Sequence, residues 1–144
     1  MMGEAIKVKN FAKRFGKKLV HRDVSFSVSR GECLGLIGGS GAGKSVVLRS
    51  LIGLEKADRG QIFIEGDEIS SWDEDQLVNI RKKVAYVFQN GALFDSMNVF
   101  DNLAYPLREH TDLSEDKIHE AVINQLEEFG LAGNQDIFPS SLSG

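Results

Sequence analysis

One cysteine is too few for an intramolecular disulfide, so Cys33 excludes the disulfide-stapled folds and fits a reducing compartment. No apolar run approaches the roughly 20 residues that a bilayer-spanning helix requires. The stretch Met1–Ala5 carries Glu4 and lacks the apolar centre of a signal peptide. The sequence therefore predicts a cytoplasmic protein with no direct membrane insertion, which would work at a membrane only by holding a partner that spans it. Positive charge is also short: 17 Lys and Arg against 21 Asp and Glu leave a net charge of -4, and no basic field to draw in nucleic acid. The local run Lys13-Arg14 and Lys17-Lys18 reads as a solvated face. Internal repeats and low-complexity tracts are absent.

What is present is an ordinary globular composition over 144 residues, 42% hydrophobic and 26% charged, enough for one domain with a buried core. Ile6–Asn10 and Val24–Ser29 alternate apolar and polar residues, as strands of a half-solvated antiparallel sheet do. Cys33–Ile37 and Val84–Phe88 are nearly all apolar and predict strands covered on both faces, with Cys33 as a small buried hydrophobe. Between them, Ser45–Ile52 has a helical stripe of Val47, Leu48, Leu51 and Ile52 and ends at Gly53, while Gly60 and Gly66 bracket a strand, Gln61–Glu65. Trp72 reads as a half-buried packing residue. Beyond Gln89 the pattern is helical only. Asn98 caps a short helix to about Tyr105 that Pro106 ends or kinks. Ser114 caps a longer one, with Glu115 and Asp116 in its first turn, a stripe of Ile118, Ala121, Val122, Leu126 and Phe129, and Gly130 as its stop. The predicted boundary at Gln89–Asn90 divides an α/β part, 1–89, from an α part, 90–144.

The chemistry lies in Gly38-Gly39-Ser40-Gly41-Ala42-Gly43-Lys44-Ser45, which satisfies the phosphate-loop pattern GxxxxGK[ST] between a predicted strand and a predicted helix. Glycines let backbone amides wrap a phosphate without side-chain clash, and the helix N-terminus adds partial positive charge at the same place. Lys44 reaches the β- and γ-phosphates, and the Ser45 hydroxyl is placed to ligate Mg²⁺. A nucleoside triphosphate follows from the loop; the reaction does not. The sequence has no Asn/Thr-Lys-x-Asp segment to read guanine, and no obvious lid arginines of a small-molecule kinase.

From Ile6 through Phe15 and from Val24 to Gly144, the chain resembles the ATP-binding subunit of ABC transporters. The resemblance implies an α/β P-loop NTPase fold: a RecA-like core with an antiparallel β subdomain, followed by the start of a helical subdomain. ATP and Mg²⁺ are the implied cofactors. It also implies that Phe15 stacks on adenine, that Gln89 touches Mg²⁺ and the attacking water, and that Leu142-Ser143-Gly144 opens the LSGGQ signature. In that signature, Ser143 and Gly144 would face the nucleotide of a second ATPase subunit in a head-to-tail dimer. The stretch Gln89–His110 and the residues Gly39–Val46 are most similar to the Mla-type ATPases of phospholipid trafficking. Val46 stands where most of the family has a threonine, which removes one hydroxyl contact to the α-phosphate. The segment after Gln89, with Leu93, Phe94, Met97 and Phe100, is implied to grip a transmembrane permease at the inner face of the plasma membrane. Phe100 and Leu103 read better as core.

The sequence has no Walker B strand, no catalytic glutamate and no switch histidine of that family; His21, His110 and His119 come too early and suit surface or capping roles. The resemblance implies an ABC ATPase domain incomplete within its signature, able to bind nucleotide but not to hydrolyse it alone. It also implies that strands Cys33–Ile37 and Val84–Phe88 lack the neighbour that would lie between them. The alternative is a free-standing nucleotide-binding regulatory module or another P-loop NTPase.

Overall fold

The computed structural model describes residues 3–89 and 91–142, and it divides into two compact units, Met1–Tyr86 and Val87–Gly144. Asn90, Ser143 and Gly144, and with them part of the predicted boundary and of the signature, lie outside the described residues.

In the first unit, β1 (Glu4–Phe15) and β2 (Lys18–Ser29) form a hairpin, and both are longer than the alternating pattern alone predicts. Gly16 has φ 56 at the first position of the two-residue turn, the left-handed backbone that matches strand twist. β3 (Arg59–Ile64) pairs with the other edge of β1, and the short β4 (Asp67–Glu68) follows, giving an antiparallel sheet in the order β2-β1-β3-β4. The register runs Ile6↔Ile64 and Ala12↔Arg59 on one side of β1 and Lys13↔His21 on the other, with bulges near Ala12.

One cluster holds this unit together. Val8, Phe11, Ile62 and Ile64 of the sheet bury against Val47 and Leu51 of α1 (Lys44–Leu51) and Leu77 and Ile80 of α2 (Glu74–Arg81). Fully burying a Phe or Ile contributes about 1.5–3 kcal/mol, so these few side chains dominate the unit's stability. Of the predicted α1 stripe, Leu48 is instead exposed. α1 ends in a Schellman turn: the Leu54 amide donates to the Arg49 carbonyl at 3.0 Å, and the Gly53 amide to Ser50 at 3.2 Å. Gly53 is required twice, since its φ is 69 and a Cβ there would lie 2.6 Å from Leu77 Cδ1. The apolar patterning alone does not predict α2. Its start is a capping box in which Asp73 and Gln76 exchange side-chain-to-amide bonds, at 3.0 and 3.1 Å. Trp72, just before it, packs half-buried against the same cluster.

Two predicted strands are corrected. Neither Cys33–Ile37 nor Val84–Phe88 belongs to a strand; Cys33 is exposed, Ile37 is 99% exposed and Val87 91%. An apolar run becomes a buried strand only with ladder partners on its edges, and no described residue pairs with Cys33–Ile37. Hydrophobic composition records the intention to be covered, not the cover.

The second unit is built on α3 (Val99–His110) and α4 (Glu115–Glu128), which share a core of Val99, Ala104, Ile118, Val122 and Leu126. Phe100 and Leu103 pack against this core, as expected. Ala121 and Phe129 do not, and Phe129 is 70% exposed at the end of the helix. Asn98 caps α3 by accepting the Asp101 amide at 2.7 Å, and the carbonyls of Ile137 and Gln135 take the amides of Val99 and Phe100. Helix α3 runs through Pro106 instead of ending there. Pro106 deprives only the Asn102 carbonyl of its donor, and the packing on α4 outweighs that one bond. Ser114 occupies the N-cap of α4 without a side-chain cap bond, and Gly130 closes the helix in a second Schellman turn, with Leu131 donating to Leu126 at 2.7 Å.

Candidate nucleotide site

The glycine loop leads straight into α1. Gly43 is the N-cap with φ 87 and ψ 9, and Gly41 has φ 76, so two positions of the loop take a left-handed backbone that side chains resist. The Gly43 carbonyl accepts the amides of Val46 at 2.9 Å and Val47 at 3.3 Å, and Ala42 donates to Gly39 at 3.2 Å. The amides of Lys44 and Ser45, first in the helix, have no acceptor within it and sit at its positive end. Lys44 folds its ammonium over the loop, donating to the carbonyls of Gly38 at 2.6 Å and Gly39 at 3.0 Å. Ser45 is exposed, while Val46 is half-buried against the sheet core, so the apolar residue in place of a hydroxyl extends that core.

Phe15 and the loop come together. A cavity of about 430 Å³ is lined by Phe15, Lys18, Val20 and Gly41–Val46, within the size range of small-molecule sites. Gly38, Gly39 and Ser40 connect to it through the two Lys44 bonds and the loop itself. The hairpin carries Phe15 there: it is the last residue of β1, beside the Gly16 turn, with the Lys13 ammonium 5.1 Å from its ring centre. Gln89 belongs to the second unit, where it is an exposed turn residue. The residue that sequence reasoning passed over is His21. Instead of a surface role, its ring is half-buried, with Nε2 2.9 Å from the Gly43 carbonyl. No local pattern signals this, because the hairpin bulges decide which β2 residue meets the loop.

The donor set suits a phosphorylated ligand: a cation, unsatisfied helix amides and glycines at the two left-handed positions. A Cβ on Gly43 would lie 2.4 Å from His21 Nε2 and 2.5 Å from Val20 Cγ1, so the loop is packed to glycine's dimensions.

Comparison with known proteins agrees with this geometry. Residues 21–144 match the sequence pattern of the family described as ABC transporter. A probable ribonucleotide transport ATP-binding protein of Mycobacterium leprae is 46% identical over 143 residues, which are 99% of this chain and 41% of that protein. The intermembrane phospholipid transport system ATP-binding protein MlaF of Escherichia coli is 42% identical over 129 residues, 90% of this chain and 48% of that one. A solved dimeric ATP-binding cassette, bound to ADP and Pi in a post-hydrolysis state, superposes with a TM-score of 0.84 at 26% identity, covering 96% of this chain and 63% of its own. The chain thus spans about two-fifths to half the length of these curated relatives. With the glycine loop, the capped helix behind it and the aromatic hairpin all in the expected order, the chain belongs to the ATP-binding proteins of the ABC transporter family.

Proposed function

We propose that this chain is the nucleotide-binding part of an ATPase subunit that couples ATP hydrolysis to transport of a phospholipid or a related lipid. One observation carries the nucleotide reading: Phe15 and Gly41–Val46 line a single cavity, so an aromatic face, an ammonium and a glycine-rich turn share one space. In this reading the loop Gly38, Gly39, Ser40, Gly41, Ala42 and Gly43 wraps the phosphates, and Lys44 exchanges its two carbonyl bonds for β- and γ-phosphate oxygens. Phe15 stacks on adenine, and Val46 lies beside the α-phosphate. Ser45 would hold Mg²⁺, which when bound would neutralise charge building on the transferred phosphate, and the family resemblance assigns Gln89 a role toward the same ion.

Among the relatives, the Escherichia coli protein is named for phospholipid and the Mycobacterium leprae protein for ribonucleotide. The Mla-like stretch Gln89–His110 favours the lipid. We assign residues 1–89 to the nucleotide part and 90–144 to the helical signature part. A second ATPase subunit, met head to tail through Ser143 and Gly144, and a membrane permease complete the assembly at the inner face of the plasma membrane. Support for the permease surface is that Leu93 and Phe94 are about half exposed, with Phe94 set edge-on to Tyr105 at 5.3 Å.

The test is Lys44→Ala in the intact protein, followed by titration with Mg-ATP and thermal melting. Binding should fall at least a hundredfold, since the loop loses its only cation, with the melting temperature unchanged. Affinity within a few-fold of wild type would overturn the reading.

A further inference from the structure

We infer that His21 is a positioning residue for phosphate recognition, acting through the Gly43 carbonyl. This rests on the nucleotide reading of the glycine loop and goes beyond it, because His21 lies outside that loop on β2. A carbonyl only accepts, so the 2.9 Å contact means that Nε2 carries a hydrogen and donates it to Gly43. The ring is held in that orientation by Phe11, a fully buried residue whose ring centre lies 5.7 Å away at a tilt of 54°.

The consequence follows from peptide planarity. The Gly43 carbonyl and the Lys44 amide belong to one trans peptide unit, so they point in opposite directions. The carbonyl faces down the helix, where the Val46 and Val47 amides also reach it. The Lys44 N–H is therefore aimed back toward the loop. Gly43, at φ 87, has the widest conformational freedom of any residue type, and within the helix only the Val46 and Val47 amides restrain this unit. His21 pins the carbonyl from the hairpin side and so fixes the aim of the amide. Because Phe15 rides on the same hairpin, one element sets both the aromatic face and the phosphate donor.

Two substitutions separate the donor from the ring. His21→Phe keeps an aromatic ring against Phe11 but removes the hydrogen bond; His21→Gln restores a side-chain N–H at a similar reach. Both are titrated with Mg-ADP in the intact protein beside wild type and Lys44→Ala, with thermal melting in the absence of nucleotide. We expect His21→Phe to bind roughly three- to tenfold more weakly, the value of one neutral hydrogen bond. His21→Gln should return to within about twofold of wild type on that scale, and nucleotide-free melting should not track the affinity. If His21→Phe binds like wild type while Lys44→Ala does not bind, the positioning role is wrong and the nucleotide site stands. If His21→Gln is as weak as His21→Phe, ring shape and not the donor matters, and the inference is overturned. If Lys44→Ala binds like wild type, the nucleotide reading itself fails.

Discussion

Lys13 and Glu55 meet at 2.6 Å with both side chains largely withdrawn from solvent, and the same ammonium donates to the Lys56 carbonyl at 2.6 Å. This ties the middle strand of the sheet to the segment after α1, and it holds the cation beside Phe15. The basic run around Lys13 predicts a solvated face; the bulged strand turns Lys13 inward instead, to 8% exposure.

Removing one partner of a buried pair leaves the other charge uncompensated. Lys13→Met, which keeps the apolar stem, should therefore cost about 1–3 kcal/mol, below the usual loss for fully buried pairs because Glu55 retains some solvent. Urea unfolding measures it. The double variant Lys13→Met with Glu55→Leu should recover most of the loss; a double variant as unstable as the single would show that packing, not the charge, is responsible.

Gly41 and Gly43 both have left-handed backbones, yet they should respond differently to alanine. At Gly41 nothing lies within 4 Å of the added Cβ, so only the conformational penalty of about 1–2 kcal/mol applies. At Gly43 the same penalty is joined by collisions with His21 and Val20. Gly43→Ala should be the more destabilising in thermal melts and should weaken nucleotide binding more than tenfold, roughly the effect of displacing one well-placed donor pair. Equal effects at the two positions would show that the hairpin yields easily.

Asn102 fastens the loop ahead of α3. Its side-chain oxygen accepts the Phe94 amide at 2.8 Å, and the two hydrogens of its Nδ2 are shared among the carbonyls of Phe94, Met97 and Asn98 at 3.1, 3.1 and 2.9 Å. Asn102→Asp is nearly isosteric but has no N–H to give, and should cost about 1–3 kcal/mol through unsatisfied carbonyls and carboxylate repulsion. In pull-downs with the proposed permease, Phe94→Asp should abolish assembly with the fold retained. Intact assembly in the Phe94 variant would remove this surface from the proposed interface.

Arg108 joins two helices. Its guanidinium donates to Glu115 at 2.8 and 3.0 Å and to Asp101 at 3.1 Å, spanning Pro106 along α3. The hydrogen bonds from Arg108 hold the Glu115 carboxyl below its ordinary value, and those from Glu115 and Asp101 raise Arg108 above its own. A depressed carboxyl stabilises the fold at pH above its unfolded value, near 4.3, and that contribution is lost as pH falls through the lower folded value. The groups are exposed, so the effect should be small and salt-sensitive. Thermal melts from pH 5 to 2 should show a steeper acid loss in wild type than in Arg108→Gln, with the difference shrinking at high salt.

The parts of the site legible in the sequence were those encoded within a few residues. Gly38–Ser45, the stops at Gly53 and Gly130 and the cap at Asn98 each depend on neighbours along the chain. Helix α2 was equally local, and the Asp73–Gln76 box was there to be read. Lys13 and His21 were not legible, because their partners lie 42 and 22 positions away and a bulge decides which way each side chain turns. Cys33–Ile37 failed for the opposite reason: its composition is that of a covered strand, and covering depends on a ladder partner that no local pattern can supply.

The central place of β1 has a kinetic consequence. Its contacts with β2 form across a two-residue turn, but Ala12 finds Arg59 only after the glycine loop and all of α1 have been looped out between them. Closing that loop carries an entropic cost that the hairpin does not. The hairpin should therefore form early and the β1–β3 ladder late. His21 sits on that early hairpin and only 22 positions from Gly43, so the phosphate-binding turn can be pinned by a shorter closure than the one the β1–β3 ladder demands.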